Sequence, residues 1–164
     1  MSGKGQIELF RQALRGRVAI IGIGNEMRGD DAVGCYIARR LHSVENALVI
    51  EAGDVPENYA GLLREYKPEC IVLVDAVNVG ADVGSIIIMS AEELSSSLAV
   101  STHGMPLKLL SDYLRRETGA EVFLIGIQVK GTELGAPMSD EVQVAAEAIV
   151  ELICSAYPTV RVRA

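Results

Sequence analysis

Apolar residues along the chain fall into two alternating rhythms. Short runs rich in β-branched residues, RVAIIGIG (17–24), ALVI (47–50), CIVLV (70–74), SIIIMS (85–90) and EVFLIGIQ (121–128), read as strands buried in a sheet. Between them apolar positions recur at helical spacing. Ile7, Phe10 and Leu14 form one such face; Val33, Ile37, Ala38 and Leu41 form a second, in a helix from about Asp31 to His42. Tyr59, Leu62, Leu63 and Tyr66 follow Pro56; Leu109, Leu110, Tyr113 and Leu114 follow Pro106; and Val142, Ala145, Ala146, Ile149, Val150 and Ile153 mark a last helix from about Ser139 to Ser155. Pro56 and Pro106 suit helix starts, while Pro68 and Gly119 suit helix ends. Acids in the first turn of the Asp31–His42 helix, with Arg39 and Arg40 near its end, complement the helix dipole.

Strands alternating with helices predict an α/β fold: a three-layer sandwich whose five-stranded, mostly parallel twisted sheet carries helices on both faces. SIIIMS follows CIVLVDA after only a short turn, too short for a parallel crossover, and is expected as the one antiparallel edge strand. EAGDVPEN and Gly131–Pro137 read as loops, AEELSSSLAVSTHG as a surface loop or weak helix. No repeat or linker divides the chain, so residues 1–164 are expected as one domain. Residues 1–16 form an N-terminal helical extension and 156–164 a loose tail.

Composition narrows the function classes. The chain has 164 residues, 49% of them apolar, but no run near the ~20 apolar residues of a membrane helix. Its N-terminus lacks the apolar core and small-residue site of a signal peptide. A net charge of −7 argues against nucleic acid as a partner, since such binders depend on clustered Lys and Arg. Cys35, Cys70 and Cys154 are odd in number with no CxxC spacing, and read as small buried residues in a reducing cytoplasm. A cytoplasmic protein without membrane insertion is expected.

The densest polar turn, GIGNEMRGDD, lies where the first strand hands over to its helix. Its glycines, Gly22, Gly24 and Gly29, do not have the G-x-G-x-x-G spacing of a dinucleotide turn, and Asp30 and Asp31 would repel a phosphate. Asp30 reads as a helix cap or first-turn acid. Asp31 has a wider role, because Asp75 follows a second apolar strand and His103 lies in a polar loop before Pro106. Alone, each acid reads as a cap, and His103 reads equally as a ligand or as the cap of the next helix. Together, two carboxylates and one imidazole at the strand tips of an open α/β sheet make a candidate divalent-metal site with open positions. His42, at the polar end of a helix, reads as structural. HExxH, G-x-S-x-G and Cys-based hydrolase motifs are absent.

Through GIGNEMRGDDAVG, LVDAVNVGADVGSIII, STHGMPLKLL and EVFLIGIQ, the chain from about Arg17 to Leu152 resembles the hydrogenase maturation endopeptidases, most closely their formate-hydrogenlyase-type branch. The resemblance implies that the family's two acids and histidine fall on Asp31, Asp75 and His103, as metal-gripping and catalytic groups. It implies an endopeptidase that removes the C-terminal extension of a nickel-loaded NiFe-hydrogenase large-subunit precursor, after a basic residue. Nickel would arrive with the precursor as a recognition signal, leaving the isolated protein metal-free; a monomer is expected. Either nickel polarises the bond or activates water, with Asp31 or Asp75 taking a proton, or binding only strains and orients the bond. The family's substrate-reading loop falls on Glu51-Ala52-Gly53-Asp54, so Gly53 and Asp54 are the expected substrate contacts, although Ala52 and Asp54 depart from the family pattern. Rival readings are a divalent-metal hydrolase of small substrates and a non-catalytic module that binds the precursor.

Overall fold

A computed structural model describes residues 3–42, 47–96, 100–101, 106–157 and 161–162. In chain order the elements are α1 (Gly3–Ala13), β1 (Val18–Ile23), a 3-10 turn (Gly29–Ala32), α2 (Val33–Arg40), β2 (Leu41–His42) and β3 (Ala47–Gly53). A second 3-10 turn (Pro56–Tyr59) leads into α3 (Ala60–Tyr66), β4 (Cys70–Asn78), β5 (Ile86–Ser90), α4 (Ala91–Ser96) and β6 (Val100–Ser101). The chain then forms α5 (Leu107–Thr118), β7 (Glu121–Gln128), α6 (Asp140–Ala156) and β8 (Arg161–Val162).

The main sheet runs β3-β1-β4-β7-β5, parallel throughout except for the edge strand β5, as the spacing of SIIIMS requires. Two-residue β6 lies off this path and pairs antiparallel with the end of β4. The apolar runs of the central strands β1, β4 and β7 are buried on both faces because helices cover both. Phe10, Val33, Ile37, Val142, Ile149 and their neighbours on α1, α2 and α6 cover one face; Leu63, Leu94, Leu107, Leu110 and Leu114 on α3, α4 and α5 cover the other. Phe10 of α1 is fully buried and meets Phe123 edge-on at 5.8 Å, so this N-terminal helix belongs to the core rather than lying outside it.

Several boundaries differ from the sequence pattern for identifiable reasons. The Asp31–His42 helix divides into a 3-10 turn, α2 and then β2, because Leu41 turns extended to pair with Val162 of the C-terminal tail. Those tail residues are therefore paired. β3 runs past Ile50 to Gly53, where a bulge skips Ala52 and Gly53 takes φ +61°, a left-handed conformation natural to glycine. β4 runs past Val74 to Asn78 because β7 stays paired with it as far as Gln128 opposite Val77.

Candidate functional site

The site grows from a seam in the sheet. β1 pairs with β4 only as far as Gly22 opposite Val74, whereas β7 accompanies β4 on its other side beyond that level. Asp75 is the first β4 residue past the seam. It lies inside the strand rather than at its tip and is fully buried, with Gly126 as its register partner on β7. A carboxyl group in the middle of a central strand is expensive to bury and is not explained by helix capping.

Asp31 reaches the same end of the sheet from the turn that opens α2. Two glycines make this approach possible. A Cβ on Gly34 would collide with the carbonyl oxygens of Ile23 and Val74, and one on Gly22 would collide with the carbonyl of Gly34. Helix backbone thus rests directly on strand backbone at the β1–β4 seam. The loop between them is tied by short-range bonds: the Asn25 N–H donates to Asp31 Oδ2 at 2.9 Å, and the Met27 N–H donates to Asn25 Oδ1 at 2.9 Å. Asp31 is 2% exposed.

Val77 pairs with Gln128 on one side and with Ser101 of β6 on the other, so β6 occupies the side of β4 that β1 vacates. It runs antiparallel to β4, from Asn78 back toward Asp75. His103, the third expected ligand, falls in segment 102–105, outside the described residues. Among the described residues, no group of three His, Cys, Asp or Glu side chains could hold a metal ion.

Gly53 joins the same end: its carbonyl accepts the Gly24 N–H at 2.9 Å, and a Cβ there would meet open space. Asp54 follows in an exposed turn. Arg39 of α2 braces this corner by ion pairs to Glu51, with Nε at 2.9 Å, and to Glu26. The hydrogen bonds that Arg39 donates to Glu51 and then to Glu26 raise its pKa. Cys35 Sγ donates to the Gly24 carbonyl at 3.3 Å beneath the loop, and burial pushes its pKa up to about 11. That thiol is no nucleophile at neutral pH.

Two features escaped the sequence pattern. Asp30 is not a cap of its own turn but a cross-link to a distant loop, and the Gly22–Gly34 contact sets where Asp31 sits. A glycine inside a buried strand together with one in the first turn of the next helix was the available signal for the second.

Comparison with known proteins adds the family context. Residues 32–156 match the family described as hydrogenase maturation protease, a span that begins one residue after Asp31 and includes Asp75 and His103. The chain is 33% identical over 131 residues to the hydrogenase 3 maturation protease of Escherichia coli, covering 79% of this chain and 83% of that protein. Its fold is similar to the crystal structure of a [NiFe] hydrogenase maturation protease, HycI, from Thermococcus kodakarensis, with TM-score 0.81 and 35% identity over 92% of this chain and 99% of that one. It also resembles HybD, a [NiFe] hydrogenase maturation protease of the same organism, with TM-score 0.69 and 31% identity over 85% and 97% of the two chains.

Proposed function

The chain belongs to the hydrogenase maturation protease family and is a peptidase, and from that premise we propose that it removes the C-terminal extension of a nickel-loaded NiFe-hydrogenase large-subunit precursor in the cytoplasm. The observation that carries this reading is the meeting of three chain segments at one seam: the turn of Asp31, the buried Asp75 past the last β1–β4 pair, and β6 running back toward Asp75 from Val77. His103 follows Ser101 by two residues, which span at most about 7 Å.

In this reading nickel is part of the substrate. Asp31 and Asp75 offer carboxylate oxygens and His103 an imidazole nitrogen, a hard and borderline donor set suited to a divalent ion whose remaining ligands come from the precursor. Three protein donors alone hold a bare ion weakly, so the isolated protein is metal-free and acquires its grip only when the precursor completes the shell. With the precursor docked, Asp31 or Asp75 accepts the proton of an attacking water, and Gly53, whose Cβ position is open, lets substrate backbone approach beside Asp54.

Mass spectrometry of precursor incubated with the protein tests this reading. Loaded precursor is cut once near its C-terminus and empty precursor is left whole. Equal cutting of both would overturn metal recognition, and loaded precursor bound but uncut would make the protein a scaffold. Submicromolar nickel or zinc binding by the protein alone would favour a metal hydrolase of small substrates.

A further inference from the structure

Asp30 is 1% exposed, yet its carboxyl group is ringed by donors from a segment a hundred residues away. Oδ1 accepts the Ser139 N–H at 2.7 Å, and Oδ2 accepts the Lys130 N–H at 2.7 Å, the Gly131 N–H at 3.3 Å and the Ser139 hydroxyl at 3.0 Å. The Asp30 N–H donates back to the Gly131 carbonyl at 3.0 Å, and the Gly135 N–H reaches the Met27 carbonyl at 2.7 Å. Gly29, at φ +55°, allows the contact, since a Cβ there would come within 2.8 Å of the Gly131 oxygen. The 25–32 loop and the β7–α6 connection are thus fastened into one unit, with Asp30 at its centre.

Asp31 is the next residue. Within its turn the Asp31 N–H donates to the Arg28 carbonyl at 3.0 Å and the Val33 N–H donates to the Asp30 carbonyl. Hydrogen bonds of a short 3-10 turn have poorer geometry than those of an α-helix, so an anchor from outside the turn adds to its definition. We propose that Asp30 is a positioning residue that holds the Asp31 carboxyl group in its working place by anchoring the turn to the β7–α6 connection. This inference rests on the role given to Asp31 above. Asparagine cannot substitute, because its NH2 would face N–H and O–H donors where the carboxyl group offers only acceptors.

The test is a steady-state processing assay with nickel-loaded large-subunit precursor, combined with hydrogen exchange at the Asn25 amide, which donates to Asp31. Asp30→Asn is expected to lower kcat by about tenfold to a hundredfold with KM nearly unchanged, as loss of an outer support typically does. It should also speed Asn25 exchange. Leu114→Ala, a core truncation at the opposite end of the sheet, should lower Tm but leave kcat and Asn25 exchange unaltered below the melting range. Should Asp30→Asn not fold, Ser139→Ala removes a single donor and is expected to reduce kcat several-fold in the same way. Full kcat and unchanged Asn25 exchange in the folded variant overturn the inference. Asp31→Asn, assayed in parallel, separates the two levels. If Asp31→Asn is inactive while Asp30→Asn is fully active, only the positioning role fails; if Asp31→Asn keeps full activity, the site reading itself fails.

Discussion

At the amino ends of the parallel strands the molecule has a groove of about 680 Å³, bordered by Glu92, Asp112, Arg115, Arg116 and Glu121, whereas a concavity beside Asp30 at the carboxyl ends, lined by Lys130, Gly131, Glu133 and Ser139, measures about 180 Å³. By volume the groove would be the default site. Its charges are solvated, however, and two of them pair with each other, Arg115 Nη2 lying 3.3 Å from Glu92 Oε1 with both side chains exposed. At the carboxyl ends Asp30, Asp31 and Asp75 are all nearly or wholly buried, and the helix and strand backbones touch through glycine. Burial of a charge-bearing group needs a reason, and an open groove lined by surface residues needs none. The proposed chemistry lies at the carboxyl-end pole, where the acids are buried, and none of it in the groove.

Changes at the two poles should differ sharply. The largest effect is expected from Asp75→Asn, which keeps the shape of the strand but removes an acid that sequence resemblance and burial both single out. Processing of loaded precursor should fall by roughly two to four orders of magnitude, the range for losing an acid–base group, with the circular dichroism spectrum and Tm near those of the parent. A variant that unfolds instead would recast Asp75 as a structural residue. Next, Gly34→Ala forces a methyl into the carbonyls of Ile23 and Val74, and overpacking of this kind should lower stability by about 3 kcal/mol in urea titration, with processing reduced in the same protein.

A pH effect reaches both poles. Cys35 lies under the carboxyl-end loop and Cys70 opens β4 at the amino end, and burial raises their thiol pKa values to about 11 and about 12. The unfolded chain releases these protons near pH 8.5 to 9, while the folded chain holds them. Their contribution to stability is thus complete below that range and is lost as pH rises toward 11. Urea midpoints measured between pH 7 and 11 should decline above about pH 9, less steeply in the Cys35→Ala, Cys70→Ala double variant. The smallest effect belongs to the groove: Arg115→Ala should change stability by no more than about 0.5 kcal/mol, as for exposed ion pairs generally, and leave processing untouched. A substantial loss of processing there would erase the contrast between the poles.

Much of this arrangement was legible in the sequence because it depends on local rhythm. Short β-branched runs separated by helical stripes sufficed for the parallel sheet, the antiparallel edge strand and α6; the acid directly after CIVLV marked Asp75, and the dense polar turn after the first strand marked Asp31, as residues needing explanation. What escaped depends on partners distant in the chain. The continuation of β4 to Asn78 comes from β7, and the end of α2 at Arg40 comes from Val162, neither of which local propensity encodes. Asp30 looked like a cap because its true partners, Lys130, Gly131 and Ser139, lie a hundred or more residues on. Ser139 in turn has the sequence position of a helix cap, yet its hydroxyl donates to Asp30 instead. The bulge at Ala52 leaves no composition signal beyond the glycine that follows it.

Anomalous diffraction from crystals soaked in millimolar nickel tests the central claim most directly. The account predicts one nickel peak at the β1–β4 seam, within bonding distance of carboxylate oxygens from Asp31 and Asp75 and of an imidazole nitrogen from His103. A nickel ion held elsewhere, with those side chains directed away from one another, would contradict it.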